Sequence, residues 1–198
     1  MAVRVCLRRP RPLIIAVDGG IAFLQKNRIR PDCWITDADS TPRLSRAFLE
    51  EIEVFRYPSR KDKTDAELAL DLCAKKGVRA AILMGWYDQR YESDHFLGNL
   101  FLIYQPAVRR TGMKLVFADG RQTIYPIQDE LLRLTGYSGR RLSVLPLSPR
   151  LTLSLSGTDY PARRLVIRRG QTVGLRNTIV SAKATVAVSG TALVIIGD

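Results

Sequence analysis

The chain has 198 residues, 46% of them hydrophobic and 25% charged, a composition that builds one large or two small packed domains and excludes a disordered or fibrous chain. Lys and Arg (31) outnumber Asp and Glu (19), leaving a formal charge of +12, mostly arginine in short pieces such as Arg163-Arg164 and Arg168-Arg169. That excess suits a polyanionic ligand, but no nucleic-acid motif accompanies it, so a solubilising surface is the simpler reading and nucleic acid is not expected as a partner.

Leu13 to Val17 is a continuous apolar run, the pattern of a strand buried on both faces. Ile21 to Ile29 reads as helical, and Trp34-Ile35-Thr36 as a short strand. Ser40 or Thr41 is expected to cap a helix with Pro42 in its first turn and Leu44, Phe48, Leu49 and Ile52 on its buried side. Val54 to Tyr57 is the next strand, stopped by Pro58. Thr64-Asp65-Ala66-Glu67 has the form of a capping box opening a helix that runs to about Lys76 and stops at Gly77. Arg79 to Met84 reads as a strand, Ser93 to Gln105 as a helix with Phe96, Leu97, Leu100, Phe101 and Tyr104 on its core side, and Met113 to Ala118 as a further strand. This alternation predicts an α/β N-terminal domain with a mostly parallel sheet over residues 1–127. From there the pattern changes. Short runs at Leu142 to Pro146, Leu151 to Leu155, Leu165 to Ile167, Ile179 to Val188 and Ala192 to Ile196 alternate apolar residues with Ser or Thr, between glycines. They predict a small all-β sandwich or barrel over 128–198, with a short helix at Gln128 to Thr135 before it. Cys6, Cys33 and Cys73 carry neither metal spacing nor a disulfide pattern, and neither a secretory leader nor a bilayer-length apolar run is evident, so a soluble cytoplasmic protein with no membrane association is expected.

The carboxylates of this basic chain gather after predicted strands: Asp18-Gly19-Gly20, Asp37-Ala38-Asp39-Ser40 and Lys61-Asp62-Lys63-Thr64-Asp65. In an open parallel sheet the carboxyl ends of the strands form the ligand crevice. Asp37 and Asp39, spaced i and i+2, point the same way on an extended chain, and two such carboxylates repel unless a cation lies between them. Oxygen ligands of this kind suit magnesium, usually held together with substrate phosphates, and Asp65 is a candidate third ligand. Gly19-Gly20 lets a phosphate approach the backbone, and Lys61 and Lys63 can neutralise its oxygens; a plain tight turn and two solvated lysines explain the same residues equally well. The single histidine, His95, lies at a helix start and reads as a structural or capping residue. With no Gly-x-Ser-x-Gly elbow and no zinc set, a Ser–His–Asp hydrolase and a zinc enzyme are excluded.

Taken in order, these clusters resemble the thiamin pyrophosphokinase family. Its pattern is matched by Asp18-Gly19-Gly20, Pro31-Asp32, Thr36-Asp37-Ala38-Asp39-Ser40, Lys61-Asp62-Lys63-Thr64-Asp65, Asp94-His95 with Asn99, Ser143-Val144-Leu145-Pro146 and Arg176-Asn177. The chain departs from it at Thr36, where the family has Gly. It departs also at Trp86 to Ser93, in place of Gly-Gly-Arg, at Arg176, in place of Ser, and in Met1 to Arg11, which lacks the usual Gly-rich turn. The resemblance implies Mg-dependent transfer of pyrophosphate from ATP to the hydroxyl of thiamin, in a homodimer with active sites at the subunit cleft. It implies Asp37, Asp39 and Asp65 as magnesium ligands. Asp18, Gly19, Gly20, Ser40, Lys61, Lys63 and Thr64 would surround ATP. Asp94, Asn99, Arg176 and Asn177 would lie near thiamin. Asp62, Asp65 and Asp94 are the candidates for taking the alcohol proton. Two alternatives stand beside it: a pyrophosphokinase for another alcohol such as a pterin, and a catalytically weak homologue that binds nucleic acid or a protein partner.

Overall fold

The structure, a computed structural model, describes residues 11–37, 44–86 and 93–198. They form two compact units: one of residues up to 81 together with 87–113, the other of residues 82–86 and 114–198.

The first unit is built on three parallel strands in the order β1 (Ile15–Val17), β2 (Cys33–Thr36), β3 (Glu53–Arg56). All four residues of central β2 are buried, as an apolar strand with a neighbour on each side should be. Ala16, Trp34 and Val54 lie in register and pack with Ile21 and Ile52, and with Leu24, Leu44, Phe48 and Leu49. Fully burying a Val, Leu, Ile or Phe side chain of this set contributes about 1.5–3 kcal/mol before entropy is subtracted. Helix α1 (Gly20–Lys26) follows β1 through Asp18, whose φ of 43° reverses the chain within one residue.

Helix α2 (Arg46–Leu49) is shorter than the sequence suggests. Its cap is Ser45, whose Oγ accepts the Phe48 N–H at 3.3 Å; Ser40, Thr41 and Pro42, the expected start, lie outside the described residues. Helix α3 (Asp65–Lys75) has the expected capping box: Thr64 Oγ1 accepts from Glu67 N–H at 3.3 Å, and Glu67 Oε2 accepts from Thr64 N–H at 3.0 Å. It buries Ala69, Leu70 and Cys73 and packs on β1 and β2. Helix α4 (Ser93–Phe101) tightens into a 3-10 turn at Leu102–Tyr104, and a separate helix α5 (Pro106–Thr111) begins after Gln105. The single helix expected over Ser93 to Gln105 is broken because the residue before a proline is driven from helical into extended backbone, here φ −58° and ψ 135° at Gln105. The apolar face expected to bury α4 does not do so: no residue of α4 is buried, and Leu97, Phe101 and Tyr104 are 50%, 62% and 41% exposed.

The second unit holds two sheets. One runs β11 (Asn177–Thr178), β8 (Arg141–Pro146), β13 (Thr191–Gly197), β6 (Gln122–Gln128), β5 (Lys114–Ala118), β4 (Ala80–Met84), the last beginning two residues before the unit does. The other runs β10 (Ala162–Arg168), β9 (Arg150–Ser156), β12 (Lys183–Ser189), β7 (Leu131–Thr135). Leu142, Val144 and Val194 of the first sheet share one core with Leu151, Leu153, Ile167 and Val186 of the second. Two expectations change here. β4 and β5 do not extend the parallel β1–β3 sheet, because Asp119 closes a turn that pairs β5 antiparallel with β6; its Oδ1 accepts the N–H of Arg121 and of Gln122, both at 2.7 Å. Gln128 to Thr135 is not a helix: β6 ends, Asp129 turns with φ 47°, and β7 alternates exposed Leu131 and Arg133 with half-buried Leu132 and buried Leu134. Among the described residues no helix is long and apolar enough to cross a membrane.

Candidate active site

Because β1, β2 and β3 are parallel, the segments that leave them start from one edge of the sheet. Asp18 follows β1 and donates its N–H to Ile35 O at 2.8 Å; Trp34 Nε1 donates to Asp18 O at 3.2 Å, pinning the turn from below. Gly19 and Gly20 have nothing within 4 Å of where a Cβ would stand, and Gly19 has helical backbone with φ −57°. Neither packing nor a left-handed backbone demands Gly19, so what its missing side chain leaves is open surface.

Asp37 follows β2, and residues 57–64 link β3 to α3. Lys61, in that link, lies 3.4 Å from Asp37 Oδ2 and 3.2 Å from Asp65 Oδ1, the three side chains being 14%, 13% and 19% exposed. Burial works against the Lys61 charge, but the Asp65 and Asp37 carboxylates outweigh it and hold the ammonium above its ordinary pKa. The structure thus brings Asp37, Lys61 and Asp65 together. Asp65 Oδ1 is buried, with the Lys61 ammonium 3.2 Å away as its neighbour. A carboxylate oxygen in that state, beside a second carboxylate, fits a hard cation, and Asp37 and Asp65 are the described residues that would hold one. Asp39, the third expected ligand, and Ser40 lie outside the described residues, among which no three His, Cys, Asp or Glu side chains converge as a metal set.

The rest of the link is arranged differently. Asp62 is exposed. Lys63 points at α3, with Nζ 2.6 Å from Asp71 Oδ2, and this pairing raises its pKa. Asp71 Oδ1 accepts from Gln105 Nε2 at 2.8 Å, while Gln105 Oε1 caps α5 by accepting from Ala107 and Val108 N–H at 2.8 and 3.1 Å. Burial alone would raise the Asp71 pKa, but the Lys63 and Gln105 hydrogen bonds hold it below its ordinary value. Thr64 spends its hydroxyl on the capping box.

A cavity of about 510 Å³ is lined by Thr64 and Glu67 of α3, by Asp94, His95, Gly98 and Asn99 of α4, and by Leu102 and Gln105 after it. Thr64, Asp94 and Asn99, expected from sequence, therefore share one cavity. Glu67, His95 and Gln105 belong to it as well. The signal for the α4 wall was helical spacing: residues 94, 95, 98, 99 and 102 fall on one face, and Gly98 adds room there. Arg176 and Asn177 lie in the second unit. Asn177 is buried and committed to backbone: Oδ1 accepts from Tyr160 and Thr178 N–H at 3.0 and 2.8 Å, and Nδ2 donates to Tyr160 O at 2.7 Å. Arg176, with φ 60°, donates its N–H to Ser143 Oγ at 3.0 Å.

The family model of the thiamin pyrophosphokinase catalytic domain matches residues 7–117. The thiamine pyrophosphokinase of Bacillus subtilis (strain 168) is 27% identical over 187 residues, 93% of this chain and 86% of that one. A crystal structure of thiamine pyrophosphokinase from Bacillus subtilis matches with a TM-score of 0.79 at 27% identity, covering 93% of this chain and 86% of that one. One of thiamin pyrophosphokinase from Geobacillus thermodenitrificans matches at 0.76 and 25%, covering 93% and 85%. At 13% identity, thiamin pyrophosphokinase from Candida albicans shares the fold, with a TM-score of 0.77 over 96% of this chain and 82% of that one.

Proposed function

The chain belongs to the thiamin pyrophosphokinase family, and from that premise we propose that it transfers pyrophosphate from ATP to the hydroxyl of thiamin, giving thiamin diphosphate and AMP. The observation that carries this reading is the convergence of Asp37, Lys61 and Asp65 at the carboxyl edge of β1–β3. Phosphoryl-type transfer needs positioning and charge neutralisation more than covalent help, and a buried cluster of both signs supplies them.

In this reading Asp37, Asp39 and Asp65 hold magnesium, which when bound neutralises phosphate oxygens. Asp18, the open backbone at Gly19 and Gly20, Ser40 and Lys61 surround the triphosphate, and Lys63 and Thr64, tied to Asp71 and to the capping box, hold the link beside it. The thiamin hydroxyl oxygen attacks the β-phosphorus in line, the bond from the bridging oxygen to that phosphorus breaks, and AMP leaves with the bridging oxygen. Of the carboxylates that can take the alcohol proton, Asp62, Asp65 and Asp94, we assign the role to Asp94, which lines the cavity while Asp65 faces Lys61. Asp94 and Asn99 are the thiamin contacts that line the cavity. Arg176 and Asn177 are the other thiamin contacts in this reading, and the committed Asn177 side chain shapes the turn that Arg176 occupies. Residues 1–127 would carry nucleotide and metal along with Asp94 and Asn99, and 128–198 the remaining thiamin contacts. The exposed Leu97, Phe101 and Tyr104 support a homodimer with its active sites at the subunit interface. The widely spaced cysteines, free at Cys33 and Cys73, suit the cytoplasm.

The test is AMP release from ATP and Mg²⁺ with thiamin, with a pterin alcohol, and with no acceptor. Thiamin-dependent release is expected. Asp37→Asn, which keeps shape but removes charge, is expected to lower it by at least about 100-fold; unchanged turnover would remove the cluster from the chemistry.

A further inference from the structure

Resting on the reading of Asp37 and Asp65 as divalent-cation ligands, we propose that the Lys61 ammonium is the resident counter-ion of that site and that the metal binds by displacing it onto the incoming phosphate.

The argument begins with charge. Asp37 and Asp65 are 28 positions apart in sequence, yet both face one Nζ, at 3.4 and 3.2 Å. All three side chains are largely shielded from water, so solvent screens the two carboxylates poorly, and they need a cation between them to stay ionised and close. Lys61 supplies it. The substitute is imperfect: one ammonium, 3.2 Å from the buried Asp65 Oδ1 and 3.4 Å from Asp37 Oδ2, serves two carboxylates. A divalent cation ligates such an oxygen at about 2.0–2.1 Å, much closer than the ammonium approaches. Both cannot hold the same oxygens, since a single and a double positive charge a few ångströms apart repel strongly in a shielded site.

Geometry gives Lys61 somewhere to go. It precedes the Thr64 cap, so its backbone belongs to the link and not to α3, and its four-carbon stem lets Nζ swing while α3 keeps Asp65 fixed. Lys63, two residues on, is already taken by Asp71. Of the two lysines in the link, Lys61 is therefore the one that becomes available when metal arrives. Metal alone must break its ion pairs with nothing in return; metal with a polyphosphate gives the ammonium a new anionic partner. Binding of the two is then cooperative, and by linkage each tightens the other equally.

The experiment is calorimetric titration of Mg²⁺ into the full chain, with and without inorganic tripolyphosphate, for wild type, Lys61→Met, Lys61→Arg and Asp37→Asn. Thermal unfolding is followed in chelator and in Mg²⁺. Lys61→Met is expected to melt lower than wild type in chelator and to regain the difference in Mg²⁺. It should bind Mg²⁺ alone about ten-fold more tightly, one ion pair's worth, and lose most of the tripolyphosphate enhancement. Lys61→Arg, which keeps the charge, should bind Mg²⁺ no tighter than wild type. The proposal is overturned if Lys61→Met binds Mg²⁺ alone no tighter than wild type while Asp37→Asn abolishes binding: the metal site then stands and the displacement does not. If Asp37→Asn leaves Mg²⁺ binding unchanged, the reading of the site falls, and the proposal with it.

Discussion

Asp71 joins two parts of the first unit that are distant in sequence, and its removal has a calculable cost. Its Oδ2 takes Lys63 of the loop and its Oδ1 takes Gln105, a buried side chain that also caps α5. Asp71→Ala strands the Gln105 amide nitrogen, and an unsatisfied buried donor costs about 1–3 kcal/mol. The lost ion pair adds little, because the Lys63 side chain is half exposed. We expect Asp71→Ala to lose about 2 kcal/mol of unfolding free energy. Asp71→Asn, which can still accept from Gln105, should lose less than half as much, and Lys63→Met should be near neutral. The assay is urea unfolding followed by tryptophan fluorescence in a Trp86→Phe background, which leaves buried Trp34 reporting on the first unit. The pH dependence has a definite sign. The Asp71 carboxyl is held below its ordinary value of 3.8, so its contribution is present above that value and is lost as pH falls through the lower native value. The gap between wild type and Asp71→Asn should therefore be constant from pH 5 to 8 (roughly) and close below about pH 4. If Lys63→Met costs as much as Asp71→Ala, or if the gap persists in acid, the account through Gln105 is wrong.

Three further outcomes follow from the geometry. Thr64→Ala removes the capping-box acceptor and should destabilise the first unit by about 1 kcal/mol in the same urea assay. Gly190→Ala places a Cβ 2.6 Å from Ser148 Oγ and 2.9 Å from Arg150 O at a φ of 107°, and should cost the second unit about 2–3 kcal/mol, read by the fluorescence of Trp86 with Trp34 replaced. Phe101→Glu puts a charge on the exposed apolar face of α4 and, on the proposed homodimer, should shift light-scattering mass from dimer toward monomer; a wild-type mass of a monomer, or a mass unchanged by the substitution, would take that face out of any such contact.

Legibility in the sequence followed the range of the interaction. The strand Ile15–Val17, the Thr64–Glu67 box and the stop at Gly77 carry signals only a few residues long, and each is readable from spacing alone. The α4 core face was misread because periodicity reveals that a helix has an apolar stripe and says nothing about what covers it; in the single chain Phe101 is 62% exposed. The turn at Asp119-Gly120 had a local signal, the Asp-Gly pair, which the alternation of strands and helices around it masked.

By itself the sequence determined most of the strands and helices, Gln128 to Thr135 being the exception in kind, and that acidic groups follow the parallel strands, because apolar period and turn chemistry act over a few residues. Tertiary structure alone decided that β4 and β5 join the antiparallel sheet, that Asp37 and Asp65 share Lys61, and that Asp71 meets Gln105. Those pairings span gaps of tens of residues. Hydrogen bonds and charges act over a few ångströms, so which partners meet is settled only once the sheets and helices have packed.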